Sequence, residues 1–441
     1  MKKYLYSSIA ILIVAFGFTA CIHTNAPEQS NSADISFTVK SGTSKSIPTV
    51  TFTEQEKGAD GMFVLTNVDS LPYLTKPDSL IPVITGTRLK SITIMANDTT
   101  INYTANKDTL DFSNPIVIVC VSEDGSVEKT YKVVVNIHQK DPDLYVWTPK
   151  SNAIYSENAV SEKLVFFDST LYFYVKSTAN VKLYTSKDGV IWTSKTLSNF
   201  PSFDIKYIVK NTDKLYISEG NKVYVSEDGI SWTEKTANAA ITHLAFALNG
   251  QLFGISYNPN VLQKLDTTAM SWGGTVSLPS NFPVEGEAIC VSNAISGNER
   301  VFVVGGKDAD SNLLNTVWST ENGSHWTNLV SKNTDIFTPR QDVAVIQYDN
   351  ILMSIGGRDN SGVLGIDDYF VISPDKGMSW FYSYSNMAMP IDFVLRFGCQ
   401  AVINDNKTVM YFVGGQNDSG FTKDAWSVMK NSVLWEAINN E

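Results

Sequence analysis

One interval constrains this chain more than any single residue does. "KDGVIW", Lys187–Trp192, returns as "EDGISW", Glu227–Trp232, and a tryptophan recurs at Trp272, Trp326, Trp380 and Trp435. Successive tryptophans stand 40, 40, 54, 54 and 55 residues apart. Two apolar runs precede each of them in the same order, such as "LVFFD" and "LYFYV" before Trp192 or "AICVS" and "VFVVGG" before Trp326. A third run, "VKLYTS" or "NTVWST", leads into the turn. Four short strands repeated every forty to fifty residues predict a β-propeller. Six repeats from Glu157 onward predict six blades. One such sheet cannot bury both of its faces, so blades pack on one another. The tryptophan opening each outer strand is expected to fill the wedge between blades.

Upstream the pattern is also β but not repetitive. "ISFTVK", "PTVTFTE", "SITIMAN", "PIVIVCVS" and "KTYKVVVNI" are rich in β-branched residues, and Asp124-Gly125 marks a hairpin between the last two. Short strands at this spacing predict an immunoglobulin-like sandwich over 34–140. The expected fold class is therefore all-β: an N-terminal Ig-like sandwich, then a six-bladed propeller over 141–441. The ending "DGSVEKTYKVVVNI" resembles the last hairpin of bacterial Ig-like modules, which implies a spacer. Ring closure has two candidate strands. "VLWEAIN" would give the last blade a fourth strand of its own, and "DLYVWT", Asp143–Thr148, would supply one from the start of the propeller.

The first residues concern location. Lys2 and Lys3, the apolar run Ile9–Phe16 and the small residues of "GFTAC" read as a secretory signal over 1–20. That run is too short for a stable membrane span. Small residues before Cys21 resemble a bacterial lipobox, with Phe18 where Leu is usual. The resemblance implies cleavage before Cys21 and lipidation of its thiol, followed by a polar tether over 21–33. The expected site is the outer membrane, on either side. The formal net charge is −11 and no basic run offsets it, which argues against a nucleic-acid partner. Cys120, Cys290 and Cys399 lie far apart in apolar runs and read as buried free thiols.

Two resemblances sit on the repeat. "SPDKGMSW", Ser373–Trp380, matches the Asp-box pattern S-x-D-x-G-x-x-W, and "STENGSHW", Ser319–Trp326, matches with Glu321 replacing Asp. "SKDGVIW" and "SEDGISW" are the same turn shortened by one residue. Asp boxes recur in sialidases and related propellers, where the resemblance implies a structural hairpin. Gly305-Gly306, Gly356-Gly357 and Gly414-Gly415 end apolar strands, and "TPRQDVAVI" resembles a kelch blade entry. The first three blades lack the glycine pair. Over nearly the whole mature chain the combination resembles uncharacterised propeller lipoproteins of gut Bacteroidetes, in which an Ig-like domain precedes a kelch or galactose-oxidase-type propeller.

A propeller's function is expected on the face built by loops that enter each inner strand and loops joining strands two and three. The entry loops supply Phe203, Asp204, Phe282, Glu285 and Glu287, together with Arg340 and Arg396. The second set supplies Arg358, Asp367 and Asn417. Aromatic rings beside amides and carboxylates suit a sugar, so a glycan or glycoprotein is the expected partner. An envelope or extracellular protein is the alternative, with membrane contact through the lipid alone. The sharper enzymatic reading is a sialidase-like hydrolase or lyase. Arg340, Arg358 and Arg396 would clamp a sugar carboxylate, and acids such as Glu285, Glu287, Asp367 and Asp368 would do the chemistry. A galactose-oxidase copper site is not expected, because the propeller holds only His243 and His325. No cofactor or metal is expected.

Overall fold

The computed structural model describes residues 28–432, apart from 45, 98, 105–107, 258, 293–296 and 330–334. The expected leader over 1–20, Cys21 and Trp435 lie outside the described residues. The chain divides into one compact unit ending at Asp141 and a second beginning at Pro142.

The first unit holds two sheets. Six strands form the larger one, in the order Phe52–Lys57, Phe63–Asn67, Glu128–Val134, Ile116–Ser122, Leu89–Ala96 and Thr99–Asn102. Its second and third members run parallel and the other neighbours antiparallel. Ile35–Ser41 pairs with Leu80–Gly86 in the smaller sheet. Alternation explains the core: Ile116, Ile118 and Cys120 point inward from one strand, beside Phe37, Ile84, Ile94 and Tyr131. The expected hairpin is present. Gly125 adopts φ 73° and Asp124 accepts the Ser126 N–H.

The second unit is a ring of sheets. Blade 1 comprises Ala159–Phe167, Thr170–Ser177, Val181–Ser186 and Thr193–Lys195, and blade 3 His243–Leu248, Gln251–Tyr257, Asn260–Asp266 and Ser271–Ser277. Blade 2 uses Val209–Asn211, Lys214–Ser226 and Thr233–Ile241, the long middle segment being interrupted at Gly220. Blade 4 comprises Glu287–Ser292, Glu299–Val304, Val317–Thr320 and Thr327–Asn328, and blade 5 Ala344–Tyr348, Ile351–Ile355, Phe370–Ser373 and Phe381–Tyr382. Inner strands of successive blades touch from blade 2 round to blade 6, and blade 6 meets blade 1. Blade 1 in turn packs on the turn Ile205–Tyr207 that leads into blade 2.

Blade 6 settles the closure. Its order is Gln400–Ile403, Met410–Val413, Ala425–Lys430 and then Tyr145–Ser151, with Trp147 opposite Val428. The outermost strand comes from the beginning of the propeller, so "DLYVWT" is the closing segment. Pairing it there removes an exposed sheet edge and ties the first repeat to the last.

The tryptophans fill the wedges. Trp232 packs with Val165 and Tyr174 of blade 1, and Trp380 with Phe302 and Val304 of blade 4. Trp326 packs with Phe246 of blade 3, Trp272 with Tyr216 of blade 2 and Trp192 with Val413 of blade 6. The sixth wedge, between blades 5 and 6, holds Trp147, stacked on Phe412 at 5.3 Å and 6.5 Å from Phe370. A phenylalanine in the loop entering each of four blades meets the ring. The pairs are Phe200–Trp232, Phe282–Trp326, Phe337–Trp380 and Phe393–Trp147, at 5.1, 4.8, 4.4 and 5.1 Å. Each fully buried indole removes roughly 200 Å² of apolar surface from water, a gross gain of about 5 kcal/mol.

The turns carry one correction. In blade 5 Ser373 accepts the Gly377 N–H and Asp375 the Ser379 N–H. In blade 1 the same parts are played by Ser186 and Asp188. Blade 4 does not use Ser319 and Glu321 as the pattern suggested. Thr320 accepts the Gly323 N–H and Asn322 the Ser324 N–H, which makes it the shortened turn. Glu321 is therefore free to pair with Arg300 on the surface. Cys120 and Cys399 are buried free thiols, whereas Cys290, on the inner strand of blade 4, is exposed.

The glycine pairs let entry loops approach closely. A side chain on Gly306 would meet Glu285 O and Gly286 Cα at 2.5 Å, and its N–H donates to Arg340 O of the next blade. At the seam between blades 6 and 1 the Gly415 N–H donates instead to the carboxylate of Glu162, at 2.7 Å. Tyr155 also donates to this carboxylate. Burial pushes the Glu162 pKa up to about 8, while Gly415 and Tyr155 oppose the rise. With a folded-state pKa of about 8, Glu162 retains its proton at neutral pH, whereas the unfolded chain has lost it. The stability from this group is fully present below the unfolded value of 4.5 and is lost as pH rises through 8. The thermal midpoint of the propeller should fall by a few degrees between pH 5 and pH 9. Glu162→Gln, which cannot ionise, should flatten that slope in a pH series of melting curves.

Candidate axial site

The three arginines do not form a clamp. Arg340 is fully buried, and its guanidinium donates to the carbonyls of Thr338 and Asp368 at 2.9 and 2.8 Å while lying over Phe337. Arg396 is 1% exposed, pairs with Asp424, and donates to Gly414 O and Thr422 Oγ1 while lying over Phe393. Both belong to an F-x-x-R stretch at a blade entry, where the guanidinium satisfies loop carbonyls that would otherwise be buried without donors. Arg358 alone reaches solvent, and it is held by Asp342 at 2.8 Å and by the Phe397 ring.

Several other expected ligand residues are structural as well. Phe282 is fully buried against Trp326, and Phe203 lies edge-on to Tyr224 at 5.5 Å. Asp204 caps the turn Ile205–Tyr207 by accepting the Lys206 N–H, and also accepts Ser161 Oγ. Asn417 accepts the Ser419 N–H within a hairpin. Asp367 is exposed on the helical turn Ile366–Tyr369 and does not line the axial cavity.

Glu285 and Glu287 are brought into a real concavity. At the axial mouth, on the side where chains enter the inner strands, all six blades border a cavity of about 130 Å³. Lys163 comes from blade 1, Lys206 and Tyr207 from the turn before blade 2, and His243 opens blade 3. Asp342 precedes the inner strand of blade 5, and Gln400 opens that of blade 6. The radial arrangement alone collects these residues, since each inner strand begins at the axis.

The wall between blades 2 and 4 is a packed polar group. Tyr207 stacks on His243 at 3.8 Å, and the Tyr257 hydroxyl stands 3.4 Å from His243 Nδ1 and 3.5 Å from Glu285 Oε1. Burial, helped by Lys206, pulls the His243 pKa down to about 3, so the imidazole is neutral at physiological pH. Burial pushes both tyrosines above the usual phenol range. Glu287 is accessible to solvent yet enclosed by the channel walls. Loss of hydration raises its pKa, with Lys163 opposing the rise and Asp342 adding to it.

The arrangement can orient a compact polar molecule through a neutral aromatic wall, carboxylate acceptors and ammonium donors. Among the described residues no group of three His, Cys, Asp or Glu side chains is placed to hold a metal. Sequence reasoning missed Lys163, Lys206, Tyr207, His243 and Asp342. One signal was available for the first: Lys163 interrupts the apolar inner strand "SEKLVFF".

The sequence matches the DUF6242 beta propeller domain over residues 141–438 and the Domain of unknown function (DUF6242) N-terminal domain over residues 30–135. Among solved structures it is similar to one described as "Structure of YjhT", with 15% identity and a TM-score of 0.46. That similarity covers 63% of this chain and 95% of the other. No curated protein matches the chain.

Proposed function

We propose, from the premise that this chain belongs to the DUF6242 family, that it is a lipid-anchored recognition protein of the cell envelope whose axial mouth binds a saccharide. Anchoring rests on the leader and Cys21, read from the sequence. The observation that carries the binding reading is convergence: polar groups from every blade border one cavity of about 130 Å³. An apolar cavity of about 150 Å³ holds benzene, so this smaller mouth, open to solvent, would seat only the end of a saccharide. Carboxylates and ammonium groups there match the hydroxyls and acids of a sugar, and Tyr207 supplies an aromatic edge.

The hydrolase reading loses its main support with the arginine clamp, since Arg340 and Arg396 are committed to loop carbonyls and Asp424. A protein-binding reading draws on Phe381 and Tyr382, exposed on the outer strand of blade 5, and on Tyr384 just after it.

Glycan-array binding by the intact mature chain tests the proposal. Binding of a saccharide terminus is expected, and Glu287→Gln should weaken it about tenfold, the loss of one hydrogen bond to a charged acceptor. Absence of binding to every glycan, with capture of one envelope protein that Tyr382→Ala abolishes, would retire the saccharide reading in favour of the protein scaffold.

A further inference from the structure

The axial cavity is divided by charge in a way the fold makes unavoidable. In a ring of six, blade 1 faces blade 4 across the axis and blade 2 faces blade 5. Lys163 of blade 1 therefore looks toward Glu287 of blade 4, and Lys206 before blade 2 toward Asp342 before blade 5. Glu285 extends the acidic side. Blade 3 supplies the neutral His243 and blade 6 the neutral Gln400 between the two walls.

The lysines on the basic side hold no ion pair among the described residues, although the Lys163 charge acts on Glu287 from across the axis. Lys163 is half-buried, yet among the described residues neither it nor Lys206 has a carboxylate within ion-pair distance. Elsewhere in the propeller Lys182, Lys214, Lys222 and Lys430 each hold one. Lys206 instead lies over the Tyr207 ring at 4.8 Å. A half-buried ammonium without an anion is costly, and an incoming carboxylate would remove that cost. On the opposite wall Asp342 already has Arg358, whereas Glu287 has no hydrogen-bonding partner among the described residues. A carboxylate in that state accepts hydroxyl groups.

Resting on the saccharide reading, we infer that the ligand is a carboxylated monosaccharide unit, its carboxylate on Lys163 and Lys206 and its hydroxyls on Glu287 and Glu285. A dianionic phosphate or sulfated chain fits less well. Three carboxylates face the lysines across a narrow mouth, and the whole chain carries a net charge of −11.

Titration calorimetry of the intact mature chain tests this with five probes: glucuronate, galacturonate, their neutral parent hexoses glucose and galactose, and cyclohexanecarboxylate. Sugar acids should bind roughly tenfold or more tightly than the parent hexoses, as a charge-assisted hydrogen bond predicts. Lys163→Met should abolish that preference. Lys187→Met, which removes the same charge from the outer turn of blade 1, should preserve it. If Lys163→Met fails to fold, the exposed Lys206→Met gives the same reading. Equal binding of acids and hexoses overturns the inference and leaves the saccharide reading standing. Binding of cyclohexanecarboxylate as tightly as the sugar acids, with no hexose bound, overturns the saccharide reading and keeps the carboxylate site. Binding of none of the five overturns both.

Discussion

Arg396→Ala should destabilise the propeller by about 3 to 5 kcal/mol, the range for removing one partner of a buried ion pair. The mutation would strand Asp424, whose side chain is only 20% exposed, and would leave Gly414 O, Val394 O and Thr422 Oγ1 without their donor. It would also remove the cation from the Phe393 face, one of the rings that Trp147 packs against. Arg358→Ala is the contrast. Its pair with Asp342 is 41% and 36% exposed, and such pairs are worth about 0 to 1 kcal/mol. Chemical denaturation of the two variants side by side checks the difference. Equal, small losses would show that Arg396 is not the structural strut described above. A drop in ligand binding by Arg396→Ala would mean nothing without this control.

The second large effect is expected from Trp147→Ala. Tryptophan-to-alanine changes in packed cores cost about 3 to 5 kcal/mol. Trp147 is half-buried, so the lower end of that range applies, but its position magnifies the consequence. It lies on Tyr145–Ser151, the strand that completes blade 6 and ties it to the chain's entry into blade 1. The indole touches Phe370, Phe393 and Phe412, which belong to blade 5, to the loop entering blade 6 and to blade 6 itself. Losing it should loosen the ring at the joint where strands from the two ends of the propeller pair. The thermal midpoint should fall, and protease should cut first near residues 142–158. Val160→Ala, at a half-exposed position on the inner strand of blade 1, should leave both unchanged. A wild-type midpoint for Trp147→Ala would show that another contact closes the ring.

These two residues also mark how much the sequence disclosed. Trp147 was visible within "DLYVWT", but its role depended on which of two segments paired with Ala425–Lys430. Both segments have strand character, and pairing between ends of a chain leaves no local trace. Arg396 was visible too, and its charge suggested a ligand. Only the structure shows the F-x-x-R stretch folding the guanidinium back over its own phenylalanine into a cage of carbonyls. The same holds for Phe282, a ring that suggested sugar stacking and proves to be a spacer under Trp326. Charge and aromaticity are properties of residues, whereas exposure is a property of their surroundings.

The repeat interval, the strand runs and the turn residues determined a radial all-β assembly, because hydrogen bonding between neighbouring strands and the φ of a turn glycine are set within a few residues. Tertiary structure alone decided which strand seals the ring, why a buried glutamate stands where the seam between blades 4 and 5 uses a backbone carbonyl, and which six inner-strand beginnings meet at the axis. Glu162 and Gly415 are 253 residues apart, and Lys163 faces Glu287 only once every intervening blade has taken its place. Those contacts arise from the sum of six wedge angles, a quantity that no short stretch of sequence contains.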